Sequence, residues 1–266
     1  MSEYQLGIIG AGNMAEAIVR GVLKAGVLPP DRIIAADPSE QRRAVFERIG
    51  TDVTDNNAAA AAPHVLLAVK PQMMDEVLPA LAESIGTDAL VISIAAGVKT
   101  ASLDAALGGK GRIVRVMPNT PMLVGAGVSA LCPGPRATDN DLVWVEALLS
   151  ASGRVLRVDE SDMDAVTAVS GSGPAYFFYL VEAMIAAGVA EGLSPEAAAL
   201  LAGATCRGAG EMLLAGDESA GTLRAKVTSP GGTTQRAIET MDAENVQTAL
   251  TRAVRAAAER SRELGG

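Results

Sequence analysis

A glycine-rich turn near the start of the chain constrains the fold more than any other feature. Residues 6–9 are apolar and predict a buried strand, and residues 16–25 have the periodicity of a helix. The turn between them has the spacing GxGxxA, which allows a tight turn, close approach of a pyrophosphate to the backbone and close packing of helix on strand. The helix N-terminus then offers unpaired N–H groups to phosphates. We therefore predict a dinucleotide-binding unit. The residues expected to hold the cofactor there are Gly10, Ala11, Gly12, Asn13 and Met14.

Strands and helices alternate up to residue 159, which indicates βαβ units and a parallel sheet with helices on both faces. Beyond that point the sequence has helical periodicity punctuated by glycine, with no convincing strand. We predict an α/β fold with two domains: an N-terminal Rossmann-type dinucleotide-binding domain, residues 1–159, and a C-terminal all-helical domain, residues 160–266. After the first strand, the predicted strands are residues 32–36, 65–69, 90–94, 112–116, 128–131 and 155–158; the predicted C-terminal helices are residues 163–169, 174–191, 195–214, 221–227, 234–241 and 246–264.

The helical half has too little core of its own to be stable alone. Aromatic residues make up only 3% of the chain, and the predicted helices 174–191 and 195–214 are apolar on more than one side. A helix that is apolar all round must be buried, and a domain this small cannot bury several. We expect a homodimer, or a higher homo-oligomer, formed through this domain.

Other features exclude whole classes of function. A net charge of −9 without a basic patch argues against nucleic acid or an anionic membrane as partner. The two cysteines give no disulfide framework, and we find no signal peptide or membrane span, so we expect a cytoplasmic protein. Since His64 is the only histidine and no ligand cluster has metal spacing, we predict no metal site.

Two glycine–serine turns remain as candidates for substrate binding, SGSGP at residues 170–174 and SPGGTT at residues 229–234. Both are predicted to open helices. Ordinary capping would explain a serine or glycine there, at about 1 kcal/mol of stabilisation. Two successive glycines cost backbone entropy, however, and are odd choices for stability alone. We therefore favour a small anionic substrate held by backbone N–H groups.

Together, six motifs give the chain a resemblance to pyrroline-5-carboxylate reductases, and they cover nearly its whole length. That resemblance implies a Rossmann domain with a helical dimerisation domain. It also implies the last step of proline biosynthesis, in which NAD(P)H reduces 1-pyrroline-5-carboxylate to L-proline. The motifs are GAGNMA at residues 10–15, AVKP at 68–71, SIAAG at 93–97, MPNTP at 117–121, SGSGPAY at 170–176 and TSPGGTT at 228–234.

The resemblance also implies roles for individual residues. Asn57 would lie by the adenosine ribose, and Ala68, Val69, Lys70 and Asn119 near the nicotinamide.

On the substrate side, Ser229, Gly232 and Thr233 would donate to the carboxylate. Thr234, the expected catalytic residue, would place its hydroxyl beside the ring nitrogen. The imine can enter already protonated, so the protein need only orient it and stabilise charge.

The cofactor implied is NADP(H), but Asp37 ends the second strand about 20 residues after the glycine turn, where an acid usually binds a free ribose 2′-hydroxyl. We expect NADPH to be accepted and NADH to be tolerated better than is usual in the family. Arg42 and Arg43, together with Ser39, could reach a 2′-phosphate. They lie a turn into the next helix, however, and we interpret them more simply as a solvated face.

Two alternatives stay open. A β-hydroxyacid dehydrogenase has a similar layout but usually carries a lysine on a long helix of the second domain, where this chain has Tyr176, Phe177 and Phe178. A non-catalytic relative could keep the cofactor fold as a regulatory module.

Overall fold

The computed structural model describes residues 4–265, which form two compact units. Residues 4–172 and 257–265 form the first unit, and residues 173–256 form the second. The first contains a twisted sheet covered by helices, and the described residues of the second are helical or in short turns. The predicted fold class, an α/β Rossmann-type domain followed by a helical region, is confirmed. The division into a cofactor domain and a helical substrate domain at residue 159 stays a prediction. The last strand, which ends at Arg157, lies just before this boundary, and the elements after it are helical.

The sheet has eight strands in the order β3-β2-β1-β4-β5-β6-β7-β8. The chain passes from β1 outward to β3 and then returns to β4 on the other side of β1, so a topological switch lies between β1 and β4. In open α/β sheets, ligands bind outside the carboxyl ends of the strands at this switch. The strands are β1 (Leu6–Ile9), β2 (Ile33–Ala36), β3 (Asp52–Thr54), β4 (His64–Leu67), β5 (Leu90–Ser93), β6 (Arg112–Met117), β7 (Gly127–Pro133) and β8 (Gly153–Arg157).

The predicted parallel sheet contains one antiparallel strand pair, at one edge. Strands β1 to β6 are parallel, but β7 runs antiparallel to β6, and β8 follows the direction of β7. A parallel connection needs a crossover of roughly a dozen residues or more, usually a helix. The link from β6 to β7 contains only the 3₁₀ turn Thr120–Val124, so the chain doubles back. Strand β3 was not predicted because it is short and has a single apolar residue, Val53.

Apolar side chains on both faces of the sheet form the core of the first unit. Strands β1, β2 and β5 are buried along their whole length. Fully buried strands of this kind are typical of sheets covered on both sides. The helices of this unit that follow strands are α1 (Asn13–Lys24), α2 (Glu40–Arg48), α3 (Met74–Ser84), α4 (Thr100–Ala106) and α5 (Asp139–Ser150).

The remaining helices match the predicted segments closely. Ser194 caps its helix by accepting a hydrogen bond from the Ala197 N–H, with Pro195 at the first helical position. In the second unit, the only apolar side chains buried among the described residues are Ala198 and Ala202. The elements are α6 (Met163–Val166), a π-helical segment (Thr167–Gly171), α7 (Gly173–Ala190), α8 (Pro195–Ala215), α9 (Ala220–Lys226), α10 (Thr233–Ala243) and α11 (Val246–Leu264).

One helical stretch, Glu160–Ala190, is long and apolar enough to cross a membrane when judged by length and composition alone, with a hydropathy of 1.4. Only 6% of its most apolar window is buried within the chain. Apolar helices of soluble proteins pass the same test, so this stretch is weak evidence for a span.

Candidate functional site

The turn between β1 and α1 has the geometry of a phosphate cradle. Gly10 has φ of 95°, and a Cβ atom there would lie 2.9 Å from Val69 Cγ1 and 3.0 Å from the Ala68 carbonyl carbon. A side chain at this position would therefore be strained and would clash with the segment after β4. A Cβ on Gly12, by contrast, would meet nothing within 4 Å, so the space in front of its backbone is open.

Helix α1 begins directly at this open space. Its N-cap is Gly12, which provides no side-chain cap, and its first helical residues are Asn13 and Met14. The N–H groups of a first helical turn have no intrahelical partner and attract anions. The residues present therefore fit a pyrophosphate without rearrangement.

Asp37 lies just beyond the end of β2 and joins two loops. Its Oδ2 accepts a hydrogen bond from the Ala11 N–H at 2.8 Å, and its Oδ1 accepts one from the Ser39 N–H at 2.9 Å. The carboxylate therefore fixes the glycine turn against the loop after β2, at the edge where a ribose would lie.

Arg42 and Arg43 do not form the solvated face that the sequence suggested. Arg42 donates through Nε to the Ala11 carbonyl at 2.6 Å and through Nη2 to Glu16 at 2.9 Å. Arg43 donates to the carbonyls of Asp37 and Pro38. Burial of Glu16 raises its pKa, but hydrogen bonds from Arg20 and Arg42 outweigh that effect and hold the pKa below its usual value. The sequence signal for these contacts is the distance of both arginines from the helix start. Since Ser39 is the N-cap, Arg42 and Arg43 lie on the first turn of α2.

Three of the other predicted cofactor residues lie at the carboxyl end of β4. Ala68 donates its N–H to the Ile9 carbonyl at 2.8 Å, which ties this segment to the end of β1. Val69 contacts the glycine turn from the same side, and the exposed Lys70 precedes a 3₁₀ turn. Asn57 opens another 3₁₀ turn after β3 and is half-buried. These placements agree with the predicted roles, which remain predictions.

Asn119 is 7% exposed and its amide has two partners within the first unit. Its Oδ1 accepts a hydrogen bond from the Val128 N–H at 2.9 Å, and its Nδ2 donates to the Ser170 carbonyl at 3.2 Å. The side chain therefore links the end of β6 to β7 and to the π-helical segment. These bonds use one of the two N–H donors and one of the two acceptor positions of the amide.

The glycine–serine motif at residues 170–174 spans the start of α7, which begins at Gly173 as predicted. Ser170 and Gly171 are the last residues of the preceding π-helical segment, and the Ser172 N–H donates to the Thr167 carbonyl at 2.8 Å. The Ser172 N–H is therefore not available to bind an anion. Gly171 is needed for close packing, because a Cβ there would lie 2.4 Å from the Met117 side chain.

The second motif does open a helix. Gly232 is the N-cap of α10 without a side-chain cap, and Thr233 and Thr234 are its first two helical residues. Gly231 has φ of 71° and donates its N–H to Gln235 Oε1 at 2.6 Å. Within residues 4–265, neither threonine hydroxyl has a hydrogen-bond partner. The turn thus presents free donors of the kind an anionic substrate needs.

His64 and Cys132, both in the first unit, are not disposed for catalysis. The His64 ring stacks on Trp144 with centroids 4.0 Å apart, and burial lowers its pKa. Burial also raises the pKa of the Cys132 thiol to about 11, which makes it a poor nucleophile. No cluster of metal-ligating side chains is found over residues 4–265.

Two family models match the chain. The one described as pyrroline-5-carboxylate reductase dimerisation matches residues 160–264, and the one described as NADP oxidoreductase, coenzyme F420-dependent, matches residues 5–97. Among curated relatives, a pyrroline-5-carboxylate reductase of Pseudomonas aeruginosa is 44% identical, with 99% of this chain and 98% of that protein covered. One of Arabidopsis thaliana is 42% identical, with 98% and 95% covered.

Solved structures agree with these relatives. A pyrroline-5-carboxylate reductase from Coxiella burnetii superposes with a TM-score of 0.91 at 38% identity, and both chains are covered completely. A pyrroline carboxylate reductase from Plasmodium falciparum, determined with NADP bound, gives a TM-score of 0.90 at 30% identity, again with complete coverage.

Proposed function

The chain belongs to the pyrroline-5-carboxylate reductase family, and from that membership we propose how its residues carry out the reaction. The protein is an oxidoreductase that uses NADP(H) to reduce 1-pyrroline-5-carboxylate to L-proline, the final step of proline biosynthesis. The β-hydroxyacid dehydrogenase alternative is not favoured. The single observation that carries the proposed mechanism is the start of α10, where the N–H groups of Thr233 and Thr234 and the Thr234 hydroxyl have no partner within residues 4–265.

The cofactor fits the cradle at Gly10 to Met14. The open space in front of Gly12 accepts the pyrophosphate, and the first turn of α1 supplies N–H donors. Asp37 stands where the adenosine ribose would be, and the segment Ala68 to Lys70 lies at the switch point beside it. Bound NADPH supplies the hydride.

The substrate carboxylate binds at the start of α10. The Thr233 N–H lies unpaired at the positive end of the helix, and the Ser229 hydroxyl adds a further donor. The Gly232 N–H, also expected to bind the carboxylate, donates to the Ser229 carbonyl at 3.0 Å here and would have to exchange that bond for one to the substrate. This part of the site requires no lysine or arginine, which agrees with the scarcity of lysine in this half of the chain.

Thr234 then orients the reacting C=N group. Its hydroxyl lies one residue into the helix, next to the N–H groups that hold the carboxylate, and can bond the ring nitrogen. A protonated imine already carries the charge that hydride addition removes, so the protein contributes alignment and electrostatic support. No histidine base is needed in this scheme.

Dimer formation is proposed to occur through the helical domain, and a higher homo-oligomer would be built from such dimers. On α7, Phe177, Phe178 and Tyr179 are between 57% and 76% exposed, and on α8 Leu200 is 72% exposed. Apolar surface of this extent is costly in water and marks a protein interface. The same argument makes a dimer interface the simpler interpretation of the apolar stretch Glu160–Ala190, and we propose a cytoplasmic enzyme.

The experiment that tests this function is turnover with the purified protein. We expect NADPH-dependent conversion of 1-pyrroline-5-carboxylate to proline, measured by amino-acid analysis alongside NADPH consumption. A panel of β-hydroxyacids with NADP⁺ or NAD⁺ is the matched control and should give no turnover. Oxidation of a β-hydroxyacid without proline formation would favour the dehydrogenase, and NADPH binding without any turnover would favour a regulatory module.

A further inference from the structure

A polar cavity of about 390 Å³ lies in the first unit, and its lining includes no residue of the glycine turn. The segment after β5, strand β6, the start of the stretch at Glu160 and the end of α11 all contribute to it. Its charged lining consists of Lys99, Arg115, Glu160, Asp164 and Arg262. Neither the proposed mechanism nor the family motifs account for this collection of charges.

The central side chain of the cavity is Arg115, on β6. Only 5% of its side chain is exposed, and its Nη1 donates to Glu160 Oε1 at 3.2 Å. Its other nitrogens, Nε and Nη2, have no partner within residues 4–265. Since no side-chain nitrogen or oxygen is both fully buried and unbonded there, these donors open onto the cavity. A guanidinium buried to this degree with unused donors is costly unless a ligand supplies acceptors.

Glu160 cannot supply those acceptors, because its carboxylate is already engaged. It accepts from the Thr100 N–H at 2.7 Å and from the Thr100 hydroxyl at 2.8 Å, in addition to Arg115. Burial raises the pKa of Glu160, but the hydrogen bonds from Thr100 and Arg115 outweigh it and hold the pKa below its usual value. Glu160 therefore acts as a fixed anchor that holds Arg115 in place.

The free edge of Arg115 defines the chemistry of the ligand. Nε–H and the adjacent Nη2–H point the same way and match the two oxygens of a planar carboxylate or two oxygens of a phosphate. Arg262 and Lys99 add positive charge around this edge, while Glu160 and Asp164 bring negative charge into the same cavity. A dianionic phosphate would be repelled by those two carboxylates, whereas a zwitterion would find partners of both signs.

We propose that this cavity binds a small zwitterionic carboxylate of the α-amino-acid class. The carboxylate binds the free edge of Arg115 with support from Arg262. The ammonium group lies beside Asp164, whose Oδ1 accepts from Ser261 at 2.6 Å and whose position is thereby fixed. The volume is in the range of small-molecule sites, of order 300–1,000 Å³.

Calorimetric titration of the full-length protein with four simple probes tests the ligand class. Glycine carries both charges, acetate only the carboxylate, methylammonium only the ammonium, and inorganic phosphate a divalent anion. We expect saturable binding of glycine, roughly 10-fold weaker binding of acetate, and no saturable binding of methylammonium. Absence of saturable glycine binding, or tighter binding of phosphate than of glycine, would overturn the proposal.

Variants locate the binding. Arg262→Gln should weaken glycine binding by roughly 10-fold, because it removes one charge from the carboxylate end. Arg260→Gln is the matched control: Arg260 lies on the same helix, pairs with Glu263 and does not line the cavity, so its titration should equal wild type. Arg115→Lys keeps the charge but loses the two-donor edge, so it should weaken glycine binding by roughly 10-fold. If the Arg115→Lys variant does not fold, the titration of Arg262→Gln alone tests the proposal. Arg262 is exposed, so its substitution should not prevent folding.

The Thr234→Ala variant distinguishes glycine binding in this cavity from glycine binding at the proposed substrate turn. Glycine bound at the start of α10 would be weakened by that change, whereas glycine bound at Arg115 would not. An unchanged titration in Thr234→Ala together with a weakened one in Arg262→Gln supports the proposal. The reverse pattern, or equal binding in all variants, refutes it.

Discussion

The carboxylate of Asp37 holds the backbone of Ala11, with 2.8 Å between Oδ2 and the amide nitrogen. The other oxygen, Oδ1, accepts a hydrogen bond from the Ser39 N–H at 2.9 Å. The residue that sequence analysis assigns to the adenosine ribose therefore also braces the phosphate loop. Any change at this position should alter cofactor preference and stability together.

Asp37→Ser should increase the preference for NADPH over NADH. A negative charge beside the ribose favours a free 2′-hydroxyl and repels a 2′-phosphate, and a hydrogen bond to a charged group is worth roughly 1.5–3 kcal/mol. We expect the ratio of kcat/KM values for the two cofactors to shift by about 10-fold or more. Asp55→Ser, at an exposed position, is the control and should leave the ratio unchanged. A wild-type preference for NADPH that Asp37→Ser does not alter would contradict this role.

Several parts of the fold could be predicted from local sequence because local chemistry decides them. The buried strands β1, β2 and β5 are short apolar runs, and the Ser194–Pro195 start of α8 follows from capping. The direction of β7 could not be predicted, because it depends on whether the preceding link folds as a helix. Thr120, Pro121 and Met122 form a 3₁₀ turn there, and the chain returns beside β6.

The only part of the candidate site that could be predicted from the sequence is the part formed by the backbone of the glycine turn. Gly10 and Gly12 are required by a positive φ and by open space, and both show in the sequence. The links of Arg42 to Ala11 and of Asn119 to Ser170 join residues far apart in the chain, so no local pattern reveals them. The close approach of Gly171 to Met117 also joins residues far apart in the chain.

Asp141 should stabilise the protein in a pH-dependent way. It is 6% exposed and accepts hydrogen bonds from Arg112 and from the N–H and hydroxyl of Thr138, which form a capping box for α5. Burial raises its pKa, but these hydrogen bonds outweigh burial and lower the pKa from its ordinary value of 3.8. We expect Asp141→Asn to cost about 2 kcal/mol near neutral pH.

The sign of the pH dependence follows from the lowered pKa. A carboxylate with a lower pKa in the folded state contributes its stability above the unfolded pKa and loses it as the pH falls through the folded value. The gap between wild type and Asp141→Asn, measured by urea unfolding, should therefore be full above about pH 5 and shrink in acid below about pH 4. Asp139→Asn, at an exposed neighbour on α5, should show a much smaller gap. A gap that widened in acid would refute the assignment.

Phe178→Glu should disrupt the proposed dimer. Phe178 is 63% exposed on α7 within the single chain, and a charge buried in an apolar interface without a partner is strongly unfavourable. We expect light scattering to show dissociation to monomer with loss of turnover. Val143→Glu on α5, at a residue 55% exposed in the first unit, is the matched control and should leave the oligomer intact. If the Phe178→Glu protein stayed active and fully assembled, the proposal that α7 forms the dimer interface would be wrong.

Thr234 provides the sharpest test of the proposed mechanism, because the structure separates a catalytic role from a capping role. The N-cap of α10 is Gly232, and Thr234 is already inside the helix, so its side chain is not required to cap it. Its hydroxyl has no partner within residues 4–265, and removing it leaves no protein group unsatisfied. Thr234→Ala should therefore fold, assemble and bind NADPH as wild type does.

Turnover by Thr234→Ala should nevertheless fall. A hydrogen bond that aligns the ring nitrogen is worth about 1–3 kcal/mol, so we expect kcat/KM for the imine to drop about 10- to 100-fold. Thr233→Ala should be milder, because that residue contributes mainly its backbone N–H. Thr240→Ala, whose hydroxyl bonds the Arg236 carbonyl later in the same helix, controls for loss of a threonine from α10 and should retain turnover. If Thr234→Ala instead melts early while keeping full turnover, the hydroxyl supports the helix and the reacting nitrogen is oriented by another group.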